Sequence, residues 1–337
     1  MLLYENICLN MMNQEKIRVV SYNIDHGNDF NNEANAALRK TLQELIYTMR
    51  DGENENCEKF IFLQECTQDI VIFLSELLAN DTKFSMLHSK KIINDKTRKY
   101  NNFEYFITIY KHFSSKLELR HSDLIEINPI KLLSEAEKQI MMNTSIGKNK
   151  SISLYRKLLD SNKLMVGHEQ FKMNNNKFIN FFNIHLSSKP YLNFIQAYLF
   201  KKYLAANHAN SNENNIIIGD FNNKFNSSSL NLIKQDLCDK ELNYLDLKLK
   251  NKSSKIRNLN KVSHPEHRYE NVTDKLLEEK EKNIEYINKS IDHILYEKKH
   301  FELATYHNNM DVLYDDCNAP SDHFYVDCLF RWSCDKN

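Results

Sequence analysis

Six short clusters in this chain end in side chains that bind hard cations or move protons. They are Ser21-Tyr22-Asn23-Ile24, Leu63-Gln64-Glu65, Asn183-Ile184-His185-Leu186, Gly219-Asp220-Phe221-Asn222, Ser290-Ile291-Asp292-His293-Ile294-Leu295 and Ser321-Asp322-His323. Carboxylates and amides are oxygen ligands for a hard divalent ion, and imidazoles are acid–base groups. Glu65 follows the apolar run Phe60-Ile61-Phe62-Leu63, so its carboxylate emerges where a strand reaches a sheet rim. It is the principal metal-ligand candidate. Asn23 also ends a strand-like run, and its neutral amide can hold metal water or an anionic oxygen without adding repulsion. Asp220 and Asn222 sit two apart after an Ile-Ile-Ile run and Gly219, whose missing side chain permits a tight turn. There a carboxylate can orient or activate water while an amide donates to a developing oxyanion. A single Gly-Asp-Phe-Asn reads equally well as a plain turn; six such clusters in order do not.

Taken together, the clusters resemble the deoxyribonuclease I-like, or endonuclease/exonuclease/phosphatase, superfamily over about Arg18 to Phe330. The resemblance implies a Mg2+-dependent phosphoesterase, with Mn2+ as a substitute ion, and a four-layer sandwich. It implies His323 as the main catalytic imidazole, with Asp292 fixing its tautomer, and Asp322 beside the metal with Asn23 and Glu65. His185 occupies the place of a second imidazole in nuclease and sphingomyelinase members. Glu104 matches the carboxylate that deoxyribonuclease-type members set against it. By strand alternation His293 points away from Asp292 and is structural.

The elements that must carry these groups alternate. Ile17 to Tyr22, Lys59 to Leu63, Phe103 to Tyr110, Leu164 to Phe171, Lys177 to His185, Ile216 to Ile218 and Ile291 to Tyr296 are β-branched or aromatic runs with polar boundaries. Asn32 to Arg50, Asp69 to Leu78 and Tyr191 to Ala206 keep apolar residues near helical spacing. The expected fold is α+β (α/β four-layer sandwich): two packed, mainly antiparallel β-sheets flanked by helices. Residues 1–16 read as an extension, 17–332 as one domain with insertions at about 121–163 and 224–289, and 333–337 as a tail. The first insertion reads as helical and polar. The second turns basic (Lys248, Lys250, Lys252, Lys255, Arg257) and then acidic, the pattern of a solvated face or a substrate-facing loop.

Lysine plus arginine and aspartate plus glutamate each number 45, so no global basic field draws the chain to nucleic acid or anionic lipid. The seven cysteines form no CxxC pair, which suits a reducing compartment and argues against zinc. No secretory pattern opens the sequence and no segment is apolar enough to span a membrane. The expected location is cytoplasmic, or exported without a cleaved N-terminal signal peptide.

Substrate is less determined than chemistry. Asp25 and Thr67 stand where duplex-nicking relatives place arginines that grip DNA phosphates. Asn222-Asn223-Lys224-Phe225 lacks the arginine of inositol-polyphosphate 5-phosphatases. A phosphodiesterase acting on nucleic acid or phospholipid is favoured over a phosphomonoester phosphatase. A catalytically silent protein-binding scaffold is the rival of a different class. Tyr22, Phe221, Phe225 and Tyr191 are aromatics near the site with the chemistry to stack on bases.

Overall fold

The computed structural model describes residues 16–25, 36–50, 57–92, 103–111, 117–128, 132–135, 164–173, 177–208, 213–223, 227–235, 242–244, 291–297, 300–308, 321, 323 and 325–332. Its strands are β1 (Lys16–Asn23), β2 (Cys57–Cys66), β3 (Phe84–Ile92), β4 (Phe103–Lys111), β5 (Glu118–Ile127) and β6 (Leu164–Lys172), followed by β7 (Phe178–His185), β8 (Glu213–Asp220), β9 (Leu242–Tyr244), β10 (Asp292–Glu297), β11 (Phe301–Asn308) and β12 (Val326–Trp332). The helices are α1 (Ala36–Arg50), α2 (Gln68–Leu78), α3 (Pro190–Asn207) and α4 (Ser228–Gln235).

Two six-stranded sheets form, ordered β11-β12-β1-β2-β4-β3 and β5-β6-β7-β8-β10-β9. Each contains one parallel pair, β1 with β2 and β7 with β8, while the other neighbours run antiparallel. Parallel neighbours need a crossover, and α1 and α3 lie in those two connections. The carboxyl ends of all four parallel strands therefore meet at one end of the molecule, and Asn23, Glu65, His185 and Asp220 stand there.

Aromatic and branched side chains hold the sheets face to face. Phe60, Phe62, Phe171, Phe181, Ile216, Ile218 and Phe330 fill the space between them, with the Phe181 ring 4.6 Å from Phe60 and 5.1 Å from Phe62. Outside the first sheet, Leu38, Leu42, Leu45 and Ile46 of α1 and Ile70 and Leu74 of α2 pack onto Val20, Leu63 and Ile107. Outside the second, Ala197, Phe200 and Leu204 of α3 pack onto Phe182, Ile184 and Ile217. The spacing of those helical residues presents one apolar face each. The expected four-layer sandwich is the observed one.

The two stretches read as insertions carry regular structure. The segment from His121, read as the start of a helical insertion, begins inside β5, which pairs with β6. Its polar composition reflects an edge strand with one wet face, not a helix. The stretch from Lys224, read as an insertion, supplies α4 and the short β9, which pairs with β10. The basic and acidic runs beyond it lie outside the described residues. No described helix is long and apolar enough to cross a membrane.

Candidate active site

The parallel strands end abruptly, and the backbone shows it. Asp25, Glu65 and Asn222 adopt left-handed conformations, with φ of 47°, 56° and 49°. Non-glycine residues rarely do so, and such strain concentrates where geometry serves function. At Glu65 the ladder between β2 and β4 also shifts register between Leu63 and Cys66. This turns the carboxylate off the strand line. Gly219 has φ 134°, and a Cβ there would meet the Ile184 carbonyl oxygen at 2.0 Å. Only glycine lets β8 approach β7 this closely, and that approach sets Asp220 opposite His185.

Seven of the sequence-derived residues come together. Asn23 is fully buried and donates from Nδ2 to Glu65 Oε1 at 2.9 Å and to Asp220 Oδ2 at 3.0 Å. Its Oδ1 accepts from the Asp25 backbone N–H at 3.0 Å. His185 Nε2 lies 3.4 Å from Glu65 Oε1 and 3.7 Å from Asp220 Oδ2. His323 places Nδ1 2.7 Å from Asp292 Oδ2 and Nε2 3.9 Å from Asp220 Oδ2. Asn222 donates its backbone N–H to Asp220 Oδ1 at 2.6 Å, and its Nδ2 to Asp220 Oδ2 at 3.0 Å and Leu186 O at 2.9 Å. Its side-chain amide thus holds Asp220 in place instead of facing a substrate oxygen.

Glu104 is buried on β4, with Oε2 3.4 Å from Lys91 Nζ on the neighbouring strand. Asp322 and Phe225 lie outside the described residues, as does the Tyr191 side chain. Tyr22 and Phe221 are core residues with no face for a base. His293 turns from the cluster, its Nε2 2.7 Å from Asn223 O.

Sequence reasoning missed the supports beneath the cluster. Gln64 and Asn183 are buried amides on opposite sheets, with Gln64 Nε2 donating to Asn183 Oδ1 at 2.7 Å and Asn183 Nδ2 to Leu63 O at 3.2 Å. The signal was present, since each directly precedes a site residue or sits two before it. Ser321 Oγ donates to Asn23 O at 2.8 Å and accepts the His323 N–H at 3.1 Å, tying the last motif to the first.

Electrostatics single out Asp220. Burial raises its pKa well above the ordinary carboxylate range, and the charge of Asp292 raises it further. His323 and the Asn222 N–H oppose that rise, while Glu65 adds to it. A cation would relieve such crowding. Two groups, Glu65 with His185 and Asp220, and Asp220 with Asp292 and His323, bring one ligand atom each within 4.8 Å of one another. Carboxylate oxygens dominate both, so the donor set fits a hard divalent ion.

These features define a class: the chain has the deoxyribonuclease I-like fold, that of endonuclease/exonuclease/phosphatase proteins. Among solved structures it is similar to the human Nocturnin catalytic domain with bound sulfate, at 15% identity and TM-score 0.58 over 94% of this chain and 95% of that one. It is likewise similar to an endonuclease/exonuclease/phosphatase family protein from Bacteroides thetaiotaomicron, at 14% identity and TM-score 0.58 over 95% and 99%. Truncated Caenorhabditis elegans TDP2 matches at 13% identity and TM-score 0.54 over 94% and 97%. No family model and no curated protein matches the sequence.

Proposed function

We propose that this protein is a Mg2+-dependent phosphodiesterase that hydrolyses its substrate by in-line attack of water. The observation that carries the reading is the convergence of Glu65, His185, Asp220, Asp292 and His323 at the carboxyl ends of the parallel strands. Glu65 would hold the ion, with Asn23 and Asp322 as further oxygen donors. A bound divalent ion supplies charge neutralisation and Lewis-acid polarisation of the phosphoryl group.

The chain's own groups do the rest. Asp220, pinned by Asn222 and Asn23, accepts a proton from the attacking water and fixes its direction. Asp292 accepts from His323 Nδ1–H, which fixes the tautomer and stabilises the imidazolium. His323 Nε2 is then the atom offered to the reacting phosphate, and His185 Nε2, which like His323 Nε2 lies within 4 Å of Asp220 Oδ2, would stabilise charge there. Glu104 is the remaining candidate, as the carboxylate that orients His185. Asp25 and Thr67 supply no cation for a duplex backbone: the Asp25 N–H caps Asn23, and Thr67 takes the N-cap position of α2. Relaxed double-stranded DNA is therefore expected to be a poor substrate.

The test is a panel in Mg2+ covering a small aryl phosphodiester, plasmid DNA, single-stranded DNA, RNA, sphingomyelin and phosphoinositides. Turnover that EDTA abolishes and Mg2+ or Mn2+ restores is expected. Failure on every ester, or undiminished turnover in EDTA, overturns the assignment.

A further inference from the structure

Backbone groups that run past the end of a strand lose their ladder partners and must find others. Between β7 and β8 the last such bond runs from the Leu186 N–H to Asp220 O, at 2.9 Å. Ser187 follows on one chain and Phe221 on the other, just beyond the strand ends that carry His185 and Asp220. One side chain takes the carbonyls of both. Asn193, fully buried in the first turn of α3, donates from Nδ2 to Ser187 O at 2.9 Å and to Phe221 O at 2.7 Å. Its Oδ1 accepts from Asn223 Nδ2. Both donors of the amide and its acceptor are thus engaged. The Asn193 backbone is fixed as well, since its N–H donates to Lys189 O at 2.9 Å.

The ties continue on both sides. Gln196, buried on the same helix, accepts the Ser187 N–H at Oε1 over 2.7 Å, so α3 holds both backbone polar groups of Ser187. On the other side, Asn223 O lies 2.7 Å from His293 Nε2, and the Phe221 N–H donates to Ile291 O at 2.9 Å. The chain of bonds therefore reaches the start of β10, beside Asp292. Leu192 and Ala197, near Asn193 on α3, are ordinary apolar core residues. Another apolar side chain at 193 would serve packing, but it would strip two carbonyls of these donors, each a loss on the scale of a hydrogen bond.

Resting on the phosphodiesterase reading, we infer that Asn193 is a positioning residue for the reaction. By holding Ser187 O and Phe221 O on one amide, it sets the spacing of the two strand ends that bear His185 and Asp220. Its polar atoms are all engaged by the loops, so it acts on the cluster only through them. His185 Nε2 and Asp220 Oδ2 stand 3.7 Å apart, and a displacement of about 1 Å among such groups costs on the order of a hundredfold in rate. Gly219 lets the strands approach, and Asn193 keeps them together where the ladder has ended.

The experiment compares the wild type with Asn193→Leu, Gln196→Leu and a distant control, Asn180→Leu. Asn180 is also a fully buried amide joining β7 to β8, its Nδ2 donating to Asn215 Oδ1 at 3.0 Å, but it lies about 16 Å along β7 from His185. Amide hydrogen exchange is followed by NMR, and turnover of a small aryl phosphodiester in Mg2+ is measured per folded molecule. Asn193→Leu should speed exchange at Leu186, Ser187 and Phe221 by about tenfold. It should lower kcat by about 10–100-fold while KM stays within about twofold, the mark of a loss felt in the transition state. Gln196→Leu, which releases one backbone group, should do less. Asn180→Leu should lower the thermal midpoint as Asn193→Leu does, yet keep the wild-type kcat and the wild-type exchange at the catalytic end. Should Asn193→Leu fail to fold, Asn193→Ser is read by the same criteria. A kcat loss no larger than that of Asn180→Leu overturns the positioning role, as does exchange quickened evenly along β7 and β8. A wild type that cleaves no diester refutes the phosphodiesterase reading instead, and exchange in the variants then decides whether Asn193 holds the strand ends.

Discussion

Asp220 and Glu169 are both carboxylates buried in the same sandwich, and burial pushes both upward, Glu169 to about 8. Their surroundings differ in kind. Asp220 ends a strand among amide donors, two imidazoles and two further carboxylates. Glu169 lies mid-strand on β6, between the sheets. One oxygen accepts from Thr108 Oγ1 at 3.0 Å, and the other has no hydrogen-bond partner among the described residues. Desolvation alone is thus no mark of a site. What separates the two is the company of groups able to share a proton or an ion.

That contrast can be broken in the test tube, and activity should break most sharply. Asp220→Asn and His323→Ala should each lower turnover by at least about a hundredfold, the scale of a positioned acid–base group. Asp292→Asn should lose less, because it misorients an imidazole that is still present. Glu169→Gln should turn over at the wild-type rate in the same assay. A Glu169→Gln enzyme as damaged as Asp220→Asn would erase the distinction.

Stability should respond in the opposite sense. A carboxyl whose folded pKa is raised binds more protons folded than unfolded, so stability falls as pH rises between the two values. For Glu169 that window runs from about 4.5 to about 8. At roughly 1.4 kcal/mol per unit the loss is on the order of 5 kcal/mol above the window. Urea midpoints of wild type and Glu169→Gln should converge near pH 4.5 and separate by pH 8, with the variant more stable. Parallel curves across that range would show that Glu169 is not buried as described.

Smaller effects sharpen the picture. Gln64→Leu leaves the Asn183 carbonyl oxygen without its 2.7 Å donor and should destabilise by about 1–3 kcal/mol in thermal unfolding. Thr108→Val removes the donor to Glu169 and should destabilise by about 1 kcal/mol at pH 9. In the Glu169→Gln background that cost should shrink, and an unchanged cost would show that Thr108 acts through packing.

The sequence was legible where burial on both faces forces continuous apolar runs. Val19-Val20, Phe60-Ile61-Phe62-Leu63 and Ile216-Ile217-Ile218 mark central strands. All four edge strands, β3, β5, β9 and β11, escaped notice, because an edge strand carries polar residues on its wet side and blurs the signal, and so did the interior β12, whose run is broken by Asp327 and Arg331. In the site, residue types at strand ends could be read. The orientation of Asn23 toward two carboxylates, the left-handed backbone at Glu65 and the Gln64–Asn183 bridge could not. Each depends on a contact between sheets or on a backbone angle, and neither has a local sequence pattern.

The pairing of β1 with β12 has a consequence in time. Ser321 and Asn23, joined in the finished protein, are 298 positions apart, and Arg18 meets Asp327 across 309. At ~5–20 residues per second, a ribosome takes about 15–60 s to travel between the first pair. Throughout that interval one flank of β1 is an open edge, and His323 has not yet been made. Until β12 emerges that flank of β1 stays uncovered, and the His323–Asp292 pair cannot form.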